Sequence, residues 1–216
     1  MKKTVCLIIS LICMQCNTSK KLNTLEQAEV LSDCLNNEDI DLLNEGIRIF
    51  EEHLKRYYGN SQISGYKGYL NSLSTMSFDR SFFQSKESIN FLVKLKKSRT
   101  FKILYKLYEE PKYDDIEIAV PITSREKNVN EEKKKLPNIY VINEKGAFSS
   151  CLRKESTVKD LKDYFEDIKD IPDISPIVKA GAFIELFKTL KEDVNIVKLS
   201  ITFDLYYGSL FMINRI

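Results

Sequence analysis

The sequence predicts a mainly α fold, a helical bundle of about six to seven helices with one small β-hairpin. Three observations carry this. Ile40, Leu43, Ile47, Phe50, Leu54 and Tyr57 recur at alternating gaps of three and four, which draws one apolar stripe along a long helix. Ile63, Tyr66, Leu70, Leu73 and Met76 repeat the pattern after Gly59-Asn60, so two antiparallel helices are expected side by side. Between them and the C-terminus only one stretch is strongly β-branched and aromatic, Ile139-Tyr140-Val141-Ile142.

In chain order, residues 25–35 predict a modest helix with Leu25, Ala28, Leu31 and Leu35 on one side, broken at Asn36-Asn37. The helix over 38–58 has Glu51–Lys55 and Glu52–Arg56 spaced as i,i+4 pairs, expected on its outer side. Residues 77–84 read as a loop over Phe78, Phe82 and Phe83. Ser85 can cap a helix that turns Ile89, Leu92 and Val93 inward. Ser98 can cap another with Phe101, Leu104, Tyr105 and Tyr108 on one face.

Residues 109–137 are highly charged, hold three prolines and lack helical periodicity. Ile116, Ile118 and Val120 alternate as an edge strand would, and about 121–137, centred on the polar run 125–135, reads as a mobile charged loop. The hairpin is expected over 138–152: 139–142 as one strand, Asn143-Glu144-Lys145-Gly146 as the turn and 147–152 as the return. Thr157 with Asp160 approximates a capping box ahead of Val158, Leu161, Phe165 and Ile168. Ser175-Pro176 is a helix start, and Ala180-Gly181-Ala182 would let a neighbour approach.

The segment 194–214 reads two ways. Ile196, Leu199, Phe203, Tyr206, Leu210 and Ile213 keep helical spacing, while Leu199, Ile201, Phe203 and Leu205 alternate with polar residues like a strand. The helical match is longer, Asp193 can cap it, and helix is favoured.

The N-terminus sets the address. Lys2 and Lys3 precede an apolar run of about 11 residues, too short to cross a bilayer, which takes roughly 20. The run ends at Cys16, and 17–21 is polar. A charged start, a short apolar middle and a polar exit are what an export machinery reads. Residues 1–16 resemble the signal peptide of a bacterial lipoprotein precursor. The resemblance departs from the family pattern at Cys13 and Gln15, where an aliphatic and a small residue are preferred. It implies that Cys16 is the lipidated residue, that 1–15 is a signal peptide removed on cleavage, and that the membrane is met through an N-terminal lipid. On that reading 16–24 is a tether, 25–216 is a single helical domain, and the chain is exported to the bacterial cell envelope.

Composition narrows the function. Residues 1–15 hold two of the 33 basic residues and none of the 31 acidic ones, so the remainder is charge-balanced and lacks the basic footprint of a nucleic-acid binder. Hydrophobic residues at 43% suffice for a core. With Cys6 and Cys13 lost with the signal and Cys16 lipidated, Cys34 and Cys151 remain. They either pair in an oxidising compartment or stay as two separate buried thiols.

His53 is the sole histidine, which removes paired-histidine metal sites and leaves it expected as an exposed residue. Gly65-Tyr66-Lys67-Gly68 has the spacing of an RNA-clamping loop but follows a long helix in a neutral chain. Asn37, Asp39 and Asp41 resemble the start of a calcium loop, but Leu42 and Arg48 stand where glycine and glutamate are required. Glu109, Glu110, Asp114, Asp115 and Glu117 form an acidic cluster best read as solvated. Tyr57-Tyr58, Phe82-Phe83 and Tyr206-Tyr207 are read as core. No catalytic, metal or cofactor-binding residue stands out, and no cofactor is implied. The leading expectation is a binding or structural role through an unknown protein partner. A carboxylate-dependent hydrolase of envelope polymers and an immunity- or inhibitor-type protein are the alternatives.

Overall fold

The structure, a computed structural model, describes residues 26–59, 62–108, 139–169, 171, 174–189 and 194–214. Leu25, Asn60, Asp193, Cys16, the expected edge strand and loop of 109–137 and the acidic cluster lie outside them. The architecture is mainly α with one two-stranded antiparallel pair. A 3₁₀ turn, Gln27–Leu31, opens the described chain. The main elements are α1 (Asn37–Tyr58), α2 (Gln62–Ser74), α3 (Lys86–Lys96), α4 (Thr100–Leu104), β1 (Tyr105–Leu107), β2 (Tyr140–Ile142), α5 (Ala147–Glu155), α6 (Lys159–Ile168), α7 (Pro176–Thr189) and α8 (Val194–Asn214).

The helix starts follow their caps. Asn36 accepts from the Asp39 amide at 2.9 Å, and Thr100 donates to the buried Asp39 carboxylate at 2.8 Å. Asp39 lies in the first turn of the helix, where the macrodipole favours an acid, and its carboxylate ties α1 to α4. Ser85 receives the Ser88 amide and Ser98 the Phe101 amide. Pro176 begins α7 behind Ser175. Gly59, at φ +102°, ends α1 in a conformation that suits glycine.

α1 and α2 form the expected helical pair. Ile40, Leu43, Ile47, Phe50 and Leu54 are buried, with Tyr66, Leu70 and Leu73 facing them. Tyr57, Ile63 and Met76, at the ends of the two stripes, are exposed instead. Gly65 and Gly68 sit inside α2 against α1: a Cβ at Gly68 would fall 2.4 Å from the Tyr58 ring. The Gly-x-x-Gly spacing here lets two helices approach.

Several expectations are corrected. Residues 147–152 are not a return strand. Phe148, Cys151 and Leu152 share a helical face in α5, and β2 pairs with β1 instead, in the register Tyr105↔Ile142, Lys106↔Val141, Leu107↔Tyr140. The helix expected through Tyr108 accordingly stops at Leu104. In α3 the inward residues are Phe91, Leu92 and Leu95, while Val93 is exposed. A Cβ at Gly181 would meet nothing within 4 Å, so that glycine serves no close contact. Glu51 turns inward to Lys198 at 3.0 Å, because α8 brings a buried ammonium to that side of α1.

α8 is helical throughout, with a π-helical run over Ile201–Tyr207. From Ile196 to Phe211 every residue is buried except Asp204. The opening 3₁₀ turn, α1, α5, α7 and β2 all touch it. Although long and apolar enough to cross a membrane, α8 has 83% of its most apolar window covered by protein. The strand-like alternation and the helical stripe were both real, since both faces are buried.

Two glycines test this packing with opposite signs. A Cβ at Gly46 would meet Phe91 at 2.7 Å and Phe203 at 2.8 Å. Gly46→Ala is expected to destabilise by about 1–3 kcal/mol, overpacking outweighing the gain in helix propensity. Gly181→Ala is expected to stabilise by about 0.5–1 kcal/mol. Urea unfolding of each variant against the parent checks both.

Candidate functional site

A cavity of about 830 Å³ opens where the β pair meets the end of α6, the start of α7 and the second half of α8. Leu107, Ile139, Ile171 and Met212 form apolar walls, and all four are among the large hydrophobic side chains left exposed. Lys106, Lys145 and Lys169 also line it, Lys169 being paired with Glu166.

Lys179, Glu144 and Asp204 form the polar part of the lining. Each arrives by a different route: Lys179 from the buried face of α7, Glu144 from the turn after β2, Asp204 from the π run of α8. The Lys179 ammonium donates to Glu144 Oε1 at 2.8 Å and to Asp204 Oδ2 at 2.7 Å. Burial alone would pull the Lys179 ammonium down, but Asp204 and Glu144 together outweigh it and hold it above its ordinary value. Glu144 is pushed up, first by burial and then by the Asp204 charge. Two carboxylates face one ammonium, so the triad carries an excess negative charge. Glu144 Oε2 and Asp204 Oδ1 have no donor among the described residues. The Tyr164 hydroxyl is buried without a partner among those residues, and its pKa is raised by burial and by both carboxylates.

The arrangement suits holding a ligand better than acid–base exchange. A hydrolytic carboxylate pair needs one free acid and one free base, whereas here a single ammonium engages both. Among the described residues no three His, Cys, Asp or Glu side chains gather as a metal site.

Sequence reasoning named none of the triad. Its residues are far apart in the chain and belong to no motif. One signal was present: Asp204 and Lys198 interrupt an otherwise apolar segment, and charges inside a buried helix need partners.

The residues singled out beforehand lie elsewhere. Cys34 and Cys151 stand as a disulfide, Cα atoms 6.0 Å apart, tying the segment after the 3₁₀ turn to α5 across 117 residues. His53 is buried, 4% exposed, contrary to the expected exposure. The Phe82, Tyr57 and Tyr206 rings enclose it, and its Nε2 donates to the Phe82 carbonyl at 2.7 Å. The 3₁₀ turn Arg80–Gln84 folds back over that side of α1, which helical spacing alone does not reveal.

Comparison with models of known families, with curated proteins and with solved structures finds no match. The triad and its cavity therefore stand on their own geometry.

Two measurements probe these sites. Lys179→Met leaves two buried carboxylates facing each other and is expected to cost about 3–5 kcal/mol at neutral pH, read by chemical denaturation. His53 should make stability depend on pH. Its pKa is lowered, first by burial and also by Arg56, against the Phe82 carbonyl and Glu87, which raise it. The unfolded chain therefore binds the proton more readily, near pH about 6.5. The contribution is full above that value and is lost as pH falls from it toward the folded pKa. His53→Phe should remove this part of the slope between pH 7 and 5, leaving the part due to carboxylates.

Proposed function

We propose that the chain is a lipid-anchored binding protein of the bacterial cell envelope, with the α6–α7–α8 cavity as its binding site. The binding role is carried by one observation. A cavity of about 830 Å³ combines apolar walls with a desolvated ionic triad. Pockets of this size, mostly apolar with a few convergent polar groups, are the usual form of a small-ligand site. The exposed apolar residues at its mouth also suit a hydrophobic portion of a protein partner.

The address rests on Lys2, Lys3, the apolar run and Cys16. The Cys34–Cys151 pairing is consistent with an oxidising compartment. Lipid on Cys16 would hold the domain at a membrane surface, each buried methylene adding about 0.8 kcal/mol. The hydrolase reading is weaker, because Glu144 and Asp204 are both engaged by Lys179.

The anchor is tested by expressing the parent and Cys16→Ala in bacteria with labelled palmitate. Label should enter only the parent, and the variant should leave the membrane fraction. Equal labelling and equal partitioning would remove the anchor and with it the envelope assignment.

A further inference from the structure

Resting on the reading of this cavity as a ligand site, we propose that it takes a small organic ammonium: a primary amine with an apolar body, either a free amine or the amino terminus of a hydrophobic peptide. The apolar body would lie against Leu107, Ile139, Ile171 and Met212. The ammonium would meet Glu144 Oε2 and Asp204 Oδ1, acceptors with no donor among the described residues, beside Lys179.

Three observations favour a cation over an anion. Both carboxylates line the cavity and share one buried ammonium, at 2.8 and 2.7 Å, so the buried triad itself carries one excess negative charge, with Lys106 and Lys145 exposed in the same lining. Each retains an oxygen without a donor among the described residues, and an ammonium brings three donors. Of the four lysines in the lining, Lys179 is engaged by two acids and Lys169 by Glu166, while Lys106 and Lys145 are exposed, Lys106 adding its charge to the field at Glu144. The π run adds a structural reason. Such insertions concentrate at functional sites, and this one delivers Asp204, the only residue from Ile196 to Phe211 that is not buried.

The test uses three water-soluble probes of similar shape on the full chain: phenethylamine, 2-phenylethanol and 3-phenylpropionate, titrated at pH 7 by calorimetry with thermal shift alongside. Phenethylamine should bind saturably, raise the melting temperature and exceed the neutral alcohol by about tenfold, the worth of one charge-assisted hydrogen bond. Asp204→Asn should lose about that factor, with Glu144→Gln as the second variant if the first fails to fold. Tighter binding of 3-phenylpropionate, or equal binding of alcohol and amine, would overturn the ammonium while keeping the cavity as a ligand site. Binding by none of the three would overturn both readings.

Discussion

The burial of α8 on all sides from Ile196 to Phe211, Asp204 apart, is the constraint from which the rest of the structure follows. A helix with no face to water must have every polar side chain answered by the elements around it. Tyr206 donates to Ser88 Oγ at 2.8 Å, and Tyr207 to the Gly46 carbonyl at 3.0 Å. Lys198 reaches Glu51 at 3.0 Å. The first bond ties α8 to α3 and the other two tie it to α1 at two heights. Phe50 stacks on Tyr206, ring centroids 4.2 Å apart, so the α1 stripe and the central helix also lock by ring packing. Burial of the Tyr206 and Tyr207 hydroxyls pushes both phenols above their ordinary range, so these bonds persist unionised throughout the physiological range.

The π run is where this central helix departs from regularity, and β1 is bound to it there. Tyr105, at the start of β1, donates its hydroxyl to the Phe203 carbonyl at 2.6 Å. The next residue, Asp204, is the one that leaves the core and turns to Lys179. One local widening of the helix thus connects the strand pair to α8 and places a carboxylate in the cavity wall. Gly208, which resumes the α-helix, lines the same cavity, so the backbone there is bare of any side chain. Site and fold share one irregularity.

This explains which parts were legible. Period carried the α1–α2 pair, because each helix is amphipathic and its stripe reports a single buried face. Caps carried the starts of α3 and α7, since Ser85 and Ser175 act locally. Period misled wherever burial came from more than one direction. His53 lies beside charged residues in sequence, yet Phe82, from the turn that follows α2, packs back onto it. Residues 147–152 satisfied a strand pattern only while β1 was hidden inside an expected helix. Once Tyr105–Leu107 pairs with β2, Phe148, Cys151 and Leu152 are free to face inward from a helix. The triad was illegible for a further reason: it is a relation among a turn, a surface-starting helix and a core helix, and no local pattern encodes it.

A buried ion triad rarely strengthens a fold, because the desolvation of its charges offsets most of their attraction. An apolar trio of similar volume would fill the space between α7 and α8 at least as stably. Burial and the Asp204 charge push Glu144 up, against the Lys179 and Lys106 charges that pull it down. A site whose sole task was packing would not line a cavity with two carboxylates that each keep one oxygen without a donor among the described residues. The unfavourable electrostatics falls where the walls are apolar and open, and that coincidence, more than the cavity's volume, distinguishes a place built to be occupied from a gap between helices.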